Sequence, residues 1–164
     1  MRLNSMEALL IHELKDLHSA ESQLIRALPK MAKAASSERL REVIEVHFEE
    51  TKRQKDRLDQ IFDGLESSPR GMKCKAMEGL VAEGEDLLKE EGDAAVKDAA
   101  LIAAAQRVEH YEIAGYGAAV TFAHMLDKQD VAQLLQESLD EEKAADQKLN
   151  ELAFAEVNPS AAGR

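Results

Sequence analysis

The stretch LIAAAQRVEHYEIAGYGAA, residues 101–119, carries an acidic residue where its pattern calls for an apolar one. Its apolar residues recur at steps of three and four, which places them on one face of an α-helix. That face consists of Leu101, Ala105, Val108, Glu112, Tyr116 and Ala119. An ionised carboxylate is rarely buried between packed helices unless a cation compensates its charge. The stretch therefore predicts a helix packed against others and an interior role for Glu112.

Three further segments repeat this pattern, and each has a glutamate on its apolar stripe. The first stripe is Leu14, Leu17, Glu21, Leu24, Leu28 and Met31. The second is Val43, His47, Glu50, Gln54, Leu58 and Ile61. The last is Leu135, Leu139, Glu142, Asp146, Leu149 and Leu152. Polar faces exist elsewhere on every segment, so the sequence predicts that Glu21, Glu50, Glu112 and Glu142 all face the interior.

Composition limits the class of protein. The chain has 164 residues, enough for one domain with a real core, and 45% are hydrophobic while only 4% are aromatic. Abundant Ala, Leu, Glu and Lys favour helix throughout. The net charge of −11 argues against binding to nucleic acid or to an anionic membrane surface.

The cellular compartment is also suggested by the sequence. Cys74 is the only cysteine, so no intrachain disulfide is possible and an oxidising compartment is not indicated. The first residues lack the basic and apolar regions of a signal peptide, and no apolar run is long enough to cross a bilayer. We therefore expect a cytoplasmic protein without a membrane partner.

Breaks in the periodic pattern divide the chain into five expected helices. The breaks are the serines at 36 and 37, the segment GLESSPRG at 64–71, Gly92-Asp93, and a turn near 127–129. The expected helices are 4–34, 37–63, 72–90, 93–126 and 129–155. Pro29 lies inside the first, where we expect it to bend the helix rather than end it. Residues 1–157 should form a single all-α domain, with residues 158–164 as a frayed tail.

The four long helices form two similar hairpins. Glu21 and Glu50 are 50 − 21 = 29 residues apart, and Glu112 and Glu142 are 142 − 112 = 30 apart. Each pair is centred on a predicted turn, so each lies at a depth of about 20 Å from that turn, given the ~1.5 Å rise per residue. We therefore predict a four-helix bundle of two antiparallel hairpins, with helix 72–90 as part of the crossover between them.

Two facing hairpins would bring the four glutamates to one level of the bundle. Ferritin-like dinuclear carboxylate proteins use such an arrangement, because several anionic oxygens offset the repulsion between two cations. Three further candidate ligands lie within one helical turn of one of these glutamates: Glu109, His47 and Asp146. His47 could equally donate a hydrogen bond to Glu50, and Tyr116 could lie beside the metal or carry redox chemistry. The simpler alternative is that acids reach apolar stripes by chance, although four at matched depth argue against it.

The chain resembles the YciE/YciF family of ferritin-like stress proteins over about residues 5–155. The resemblance rests on several short motifs spread along the chain. They are HSAESQL at 18–24, HFEET at 47–51, GMKCKAMEG at 71–79, DAALIAAAQ at 98–106, VEHYEIAGY at 108–116 and LDEEKAAD at 139–146. It implies a bacterial ferritin-like protein associated with stress responses, and it also suggests a homodimer.

The chain resembles rubrerythrins more distantly, through Glu109-x-x-Glu112. Rubrerythrins reduce peroxide at a di-iron site, and they place His three or four residues after a ligand Glu. Here those positions hold Arg53 and Gln54 after Glu50. They hold Ala145 and Asp146 after Glu142. Three interpretations of such a carboxylate-rich site with few histidines stay open. It is an altered two-metal centre, a weaker single-metal site, or a relic of a metal site.

Two functions therefore remain open at this point. The first is a dimeric protein that binds iron or manganese, two ions in the leading interpretation, through Glu21, Glu50, Glu109, Glu112, Glu142, His47 and Asp146, with oxidase or peroxide-detoxifying activity. The second is a non-catalytic structural or stress-response protein that retains the ferritin-like fold. The sequence identifies no substrate, and an iron-storage cage is disfavoured because nothing resembles the short fifth helix that follows the bundle in storage ferritins.

Overall fold

The computed structural model describes residues 4–163, and all of the regular structure in that range is helical. The long helices are α1 (Met6–Ala34), α2 (Glu38–Gly64), α4 (Ala94–Met125) and α5 (Gln129–Leu152), with α3 (Lys75–Lys89) between the two hairpins. The predicted all-α bundle of two hairpins with a crossover helix is confirmed. Residues 1–3 of the predicted domain and Arg164 of the predicted tail lie outside the described residues.

Short turns with specific caps hold each hairpin. Ser37 caps α2 by accepting the backbone N–H of Leu40. The buried carboxylate of Asp98 on α4 accepts the backbone N–H groups of Ser36 and Ser37 at 2.9 and 2.7 Å. This contact fixes the turn of the first hairpin against the second hairpin.

The turn between α4 and α5 is a Schellman motif. Lys128 N–H donates to Ala123 O, and Asp127 N–H donates to His124 O. Asp127 has φ of 54°, a conformation that Asp tolerates better than most residues. The chain can therefore reverse here without a glycine.

Two apolar clusters fill the bundle, one at each end. The first joins the second half of α1 to the starts of α2 and α4 and the end of α5, for example through Leu28, Ile44 and Leu149. The other joins the start of α1 to the ends of α2 and α4, for example through Leu14 and Leu58. The two hairpin turns thus lie at opposite ends, and the acidic residues occupy the layer between the clusters.

Helices α1 and α4 approach closely beside this layer. A Cβ atom at Gly115 would come within 2.9 Å of Leu17 Cδ2. Gly115 directly precedes Tyr116, so the close contact brings the Tyr116 side chain against α1.

The stripes predicted for α1 and α4 are buried at all six positions each. Four of the six positions predicted for α2 and five of the six predicted for α5 are also buried. In α2 the buried residues are Leu40, Ile44, His47, Thr51, Gln54, Leu58, Ile61 and Phe62. Thr51 therefore takes the interior position that the sequence assigns to Glu50. In α5, Ala145 takes the position assigned to Asp146. Glu50 and Asp146 therefore lie beside the buried face of their helix instead of on it.

The helix ends also differ from expectation in two places. Helix α3 begins at Lys75 rather than near residue 72, because Cys74 caps it: Cys74 Sγ accepts Met77 N–H at 3.4 Å. Helix α5 gives way to a π-helical turn, Ala153–Val157, in which Asn158 N–H donates to Ala153 O five residues back. A short helix α6 (Asn158–Ala161) follows, so this part of the expected frayed tail is helical. Pro29 lies inside α1, which continues past it to Ala34.

Candidate metal centre

Four side chains from three helices form a compact buried cluster at the middle of the bundle. Each of His47, Glu109, Glu112 and Glu142 offers one ligand atom, and these atoms all lie within 4.8 Å of one another. Glu109 and Glu112 are three residues apart on α4, so both reach the same side of that helix. None of the four is more than 4% exposed.

Glu21 on α1 lies beside this cluster. It is fully buried, and its Oε1 accepts a hydrogen bond from the hydroxyl of Tyr116. Its pKa is raised well above the usual value, first by burial and then by the nearby Glu142 carboxylate. Glu21 therefore interacts electrostatically with the cluster although it is not one of the four.

Glu142 is held by an amide. Gln54 on α2 is also fully buried, and its Nε2 donates to Glu142 Oε1 at 2.5 Å. Arg57, a cationic side chain three residues after Gln54 on α2, is paired instead with Glu141 through two bonds of 2.7 and 2.8 Å. The interior acid thus receives a neutral donor, while the guanidinium is held by the neighbouring acid. The sequence pattern placed Gln54 on the apolar stripe of α2 but did not identify it as the donor to Glu142.

The other two predicted site acids lie at the rim. Glu50 Oε2 is 3.7 Å from His47 Nδ1, and its Oε1 is 3.9 Å from Lys148 Nζ; its side chain is 14% exposed. Asp146 accepts from Gln106 at 3.1 Å and lies 3.4 Å from His110 Nε2, with 22% of its side chain exposed. The two rim acids are thus partly exposed, and each contacts side chains at the edge of the bundle: Lys148 for Glu50, and Gln106 and His110 for Asp146.

Burial and mutual repulsion make the interior acids weak. Burial is the largest influence on both Glu109 and Glu112, and it raises their pKa values well above 4.5. Repulsion by Glu142 adds to both, and repulsion by Glu21 adds to Glu112. Glu109 and Glu112 consequently keep their protons to a higher pH than an exposed glutamate does.

His47 is subject to opposing effects. Burial disfavours the imidazolium, but the Glu142 and Glu50 carboxylates outweigh burial and raise the pKa of His47. Its Nε2 is 3.3 Å from Glu109 Oε1. The ring therefore lies between an interior acid and the rim acid Glu50, able to hold a proton or to offer a nitrogen to a cation.

Many polar atoms in this layer have no hydrogen-bond partner among the described residues. They are Glu21 Oε2, both ring nitrogens of His47, Gln54 Oε1, Glu109 Oε2, both oxygens of Glu112 and Glu142 Oε2. Unpaired buried polar atoms are costly and native proteins rarely retain them in one place without a ligand. The residues therefore fit a metal centre, since one or two cations would satisfy several of these atoms together.

Tyr116 and Cys74 are also defined by their contacts. Tyr116 is fully buried and donates to Glu21, so it lies directly beside the candidate ligands, as the sequence analysis suggested. Cys74 lies outside the site: its thiol is 3.0 Å from the Tyr111 hydroxyl, and Ser19 and Gln23 bond its backbone. Cys74 therefore links α3 to α1 and α4, in keeping with a structural role.

The fold and this cluster define a class: a helical bundle with acidic side chains and one imidazole gathered in its interior. Within that class the chain belongs to the family described as "Domain of unknown function (DUF892)", whose model matches residues 5–162. The chain is 47% identical to protein YciF of Escherichia coli (strain K12), over 98% of both chains. The resemblance stated from the sequence motifs is thereby confirmed.

Solved structures agree with the fold. The crystal structure of the E. coli stress protein YciF matches with a TM-score of 0.91 at 47% identity, covering 94% of this chain and 98% of that one. YcfI from Rhodopseudomonas palustris, described as "a putative structural protein", matches with a TM-score of 0.87 at 44% identity, covering 90% and 94%. A protein from Xanthomonas campestris matches at 0.77 with 23% identity, covering 96% and 97%, and supports the fold alone.

No helix within residues 4–163 combines the length and the apolar character needed to span a membrane.

Proposed function

We propose that this protein binds iron or manganese, as two ions, at the carboxylate-rich centre of its bundle. The observation that carries this proposal is the set of buried, unpaired oxygen and nitrogen atoms on Glu21, His47, Glu109, Glu112 and Glu142. A cation replaces the missing hydrogen bonds and offsets the repulsion among the acids.

The donor set favours these metals. Carboxylate oxygens suit hard divalent cations such as manganese, and imidazole extends the range to iron. No thiol contributes, since the single cysteine, Cys74, lies outside the cluster. His47, Glu109, Glu112 and Glu142 would hold the ions, with Glu21 beside them and Glu50 and Asp146 at the rim.

The proposed chemistry is oxidase or peroxide-consuming activity. A pair of redox-active ions supplies electrons to a small oxidant when bound. This chain's own residues would supply orientation and protons: Gln54 positions Glu142, and Tyr116 holds a proton against Glu21 Oε1. Burial of the whole layer would exclude bulk water.

A second candidate is a non-catalytic structural or stress protein with the same fold. The relative YcfI is described as "a putative structural protein", and the matched YciF is called a stress protein. In this alternative the interior acids remain protonated or hydrogen-bonded, and redox turnover is absent.

Three further parts of the proposal concern context. We propose that the described helices form one domain, that the protein is a homodimer, and that it acts in the bacterial cytoplasm during stress. The free, buried Cys74 is compatible with a reducing compartment.

Metal content of two matched variants tests the proposal. Glu112→Gln keeps the shape of a buried ligand and removes its charge, while Glu49→Gln makes the same change at a side chain that is 55% exposed and paired with Lys52. We expect Glu112→Gln to lose most of its iron or manganese after mild purification, and Glu49→Gln to retain wild-type content. Equal metal content in the two variants, or none in the wild type grown without chelator, would refute the metal-binding function and favour the second candidate.

A further inference from the structure

Four polar side chains form an unbroken line of contacts from the surface to the candidate centre. Lys148 on α5, whose side chain is 48% exposed, has its Nζ 3.9 Å from Glu50 Oε1 on α2. The other carboxylate oxygen of Glu50 is 3.7 Å from His47 Nδ1. His47 Nε2 in turn is 3.3 Å from Glu109 Oε1 inside the bundle. A polar path therefore leads from solvent, between α2 and α5, to the buried cluster.

The two ends of the bundle and the side formed by α1 and α4 are closed. Apolar clusters fill both ends, and moving a charge through apolar side chains is costly. Helix α3 packs across α1 and α4, where its Leu80 and Val81 join one of these clusters, and α1 and α4 approach closely at Gly115. Within residues 4–163, no further helix packs across α2 and α5 in this way. Of the two sides where the hairpins meet, the α2–α5 side is thus the more open.

The ion pairs that bridge α2 and α5 differ in tightness. Arg57 holds Glu141 through two hydrogen bonds of 2.7 and 2.8 Å. At the level of the cluster, Lys148 and Glu50 are 3.9 Å apart, which is beyond hydrogen-bonding distance. A lysine ammonium is a point charge on a flexible stem. Lys148 can therefore move away from Glu50 without any change in the packing of the two helices.

His47 gives an independent indication that a ligand binds at this point. The residue is 4% exposed, and neither of its ring nitrogens has a hydrogen-bond partner among the described residues. Nδ1 faces Glu50 and Nε2 faces Glu109. A neutral imidazole offers one nitrogen to a cation, and carboxylate oxygen and imidazole nitrogen together suit manganese or iron. His47 can therefore share a cation with the rim acid on one side or with the interior acid on the other.

We propose that Glu50 and His47 form an entry site for Mn²⁺ or Fe²⁺, and that Lys148 guards it as the cation that must first leave Glu50. This proposal rests on the metal-binding function proposed above and adds how the centre is loaded. The partly exposed Glu50 carboxylate attracts a cation from solvent, and His47 connects it to the interior ligands. Glu50 and Lys148 then govern the rate of loading, while the buried acids govern the affinity.

The rates of Mn²⁺ uptake and release test the entry site. Uptake by the metal-free protein is followed by stopped flow with a fluorescent metal indicator, release is followed in excess chelator, and affinity is measured by calorimetry. We expect Glu50→Gln to take up Mn²⁺ about tenfold more slowly, because it removes the attracting charge and leaves Lys148 in place. Release should also slow, since the same path serves entry and exit. Uptake at the wild-type rate, or faster release, would overturn the entry site, because loss of a ligand of the bound ion speeds release.

Two matched pairs of variants separate this path from general charge effects. Asp146 is the other rim acid, but it contacts Gln106 and His110, which lie outside the cluster, so Asp146→Asn should take up Mn²⁺ at the wild-type rate. Lys148→Met should speed both uptake and release about threefold, because it removes the guarding charge. Lys143→Met makes the same change at another exposed position of α5 and should alter neither rate.

The outcomes distinguish the entry site from the metal-binding function itself. Equal slowing in Glu50→Gln and Asp146→Asn, or equal rates in Lys148→Met and Lys143→Met, with wild-type affinity retained, would refute the entry site and leave the metal centre in place. A wild-type protein that binds no Mn²⁺ at equilibrium would refute both.

Discussion

The two hairpins carry nearly the same acidic pattern, yet they contribute to the centre differently. In the second hairpin, Glu112 and Glu142 are both fully buried, and Glu109 joins them. In the first, Glu21 is fully buried but Glu50 lies at the rim, while His47 and Gln54 enter the interior in its place. The second hairpin therefore supplies most of the charge, and the first supplies an imidazole, an amide and one acid.

The difference arises from the rotation of α2 about its axis. The buried positions of α2 follow the alternating three- and four-residue steps of 40, 44, 47, 51, 54, 58 and 61. This rotation turns Glu50 toward Lys148 and turns Thr51 inward, where its hydroxyl bonds to the backbone oxygen of His47. Sequence symmetry between the hairpins thus does not ensure symmetry of ligands, because a small rotation of one helix is enough to replace Glu50 by Thr51 on the buried face.

The largest expected effect compares corresponding acids of the two hairpins. Glu142→Gln should weaken manganese or ferrous binding by about 100-fold, since it removes the charge of a buried ligand. Glu50→Gln should weaken it by less than about fivefold, because a charge at the rim, partly exposed and already beside Lys148, contributes up to ~1 kcal/mol. Isothermal calorimetry on both variants measures the difference. A greater loss from Glu50→Gln would mean that the first hairpin, not the second, supplies the dominant charge.

The next effect compares the side chains one turn further along each helix. Gln54→Ala removes the donor that orients Glu142, so we expect metal affinity to fall about tenfold, as for other residues that position a ligand. Asp146→Asn changes a rim acid that already bonds Gln106, and it should leave affinity within about twofold. Isothermal calorimetry of metal binding measures the affinity of both variants. Equal losses would show that the amide of Gln54 has no special part in holding Glu142.

The pH dependence of stability tests the crowding of acids in the metal-free protein. The folded-state pKa values of Glu21, Glu109 and Glu112 lie above their unfolded values, chiefly because of burial. The pKa of His47 is also raised, through Glu142 and Glu50, which outweigh its burial. A raised pKa contributes stability below the unfolded pKa, near 4.5 for Glu and 6.5 for His, and that stability is lost as pH rises through the folded value. The free energy of unfolding should therefore fall as pH rises above these values.

Glu112→Gln provides the control for this prediction. It removes one member of the repelling group, so the metal-free variant should lose less stability than wild type between acidic and neutral pH. Urea unfolding at several pH values, with chelator present, measures how the free energy of unfolding of each protein changes with pH. Parallel curves for the two proteins, or wild-type stability that increases with pH, would contradict the crowding account.

The smallest expected effect concerns the contact between hairpins at Gly115. Alanine normally stabilises a helix interior by about 0.5–1 kcal/mol relative to glycine. Gly117→Ala meets nothing within 4 Å and should gain this amount. Gly115→Ala places a Cβ 2.9 Å from Leu17 Cδ2, so it should gain less or lose stability. Chemical denaturation measures the change in stability of each variant. Equal gains would show that α1 and α4 can separate freely at the level of Gly115.

The sequence was sufficient for the helices that carry their acids on an unambiguous stripe. Leu14, Leu17 and Leu24 around Glu21 leave one choice of face, as do Leu101, Val108 and Tyr116 around Glu112, and all of these are buried. In α2, however, Val43 and Ile44 are both apolar, so the pattern does not decide between a face with Glu50 and one with Thr51. The same ambiguity holds for Ala145 and Asp146 in α5.

Contacts between helices could not be predicted from the sequence pattern, for a different reason. The bond from Gln54 to Glu142 joins residues 88 positions apart, and it depends on how far α2 and α5 rotate toward each other. The π-helical turn at Ala153–Val157 likewise has no periodic signal, because one additional residue in a helical turn does not alter composition. Metal ligation by the seven residues named from the sequence stays a prediction.

The central claim, a metal centre built mainly from the second hairpin, is tested most directly by anomalous diffraction. Crystals of the wild-type protein, purified without chelator and soaked in Mn²⁺, would be measured on both sides of the manganese absorption edge. We predict anomalous peaks within coordination distance of His47, Glu109, Glu112 and Glu142, where the ligand atoms already lie within 4.8 Å of one another. Manganese found only on surface acids such as Glu49, with no peak among these four side chains, would contradict the account.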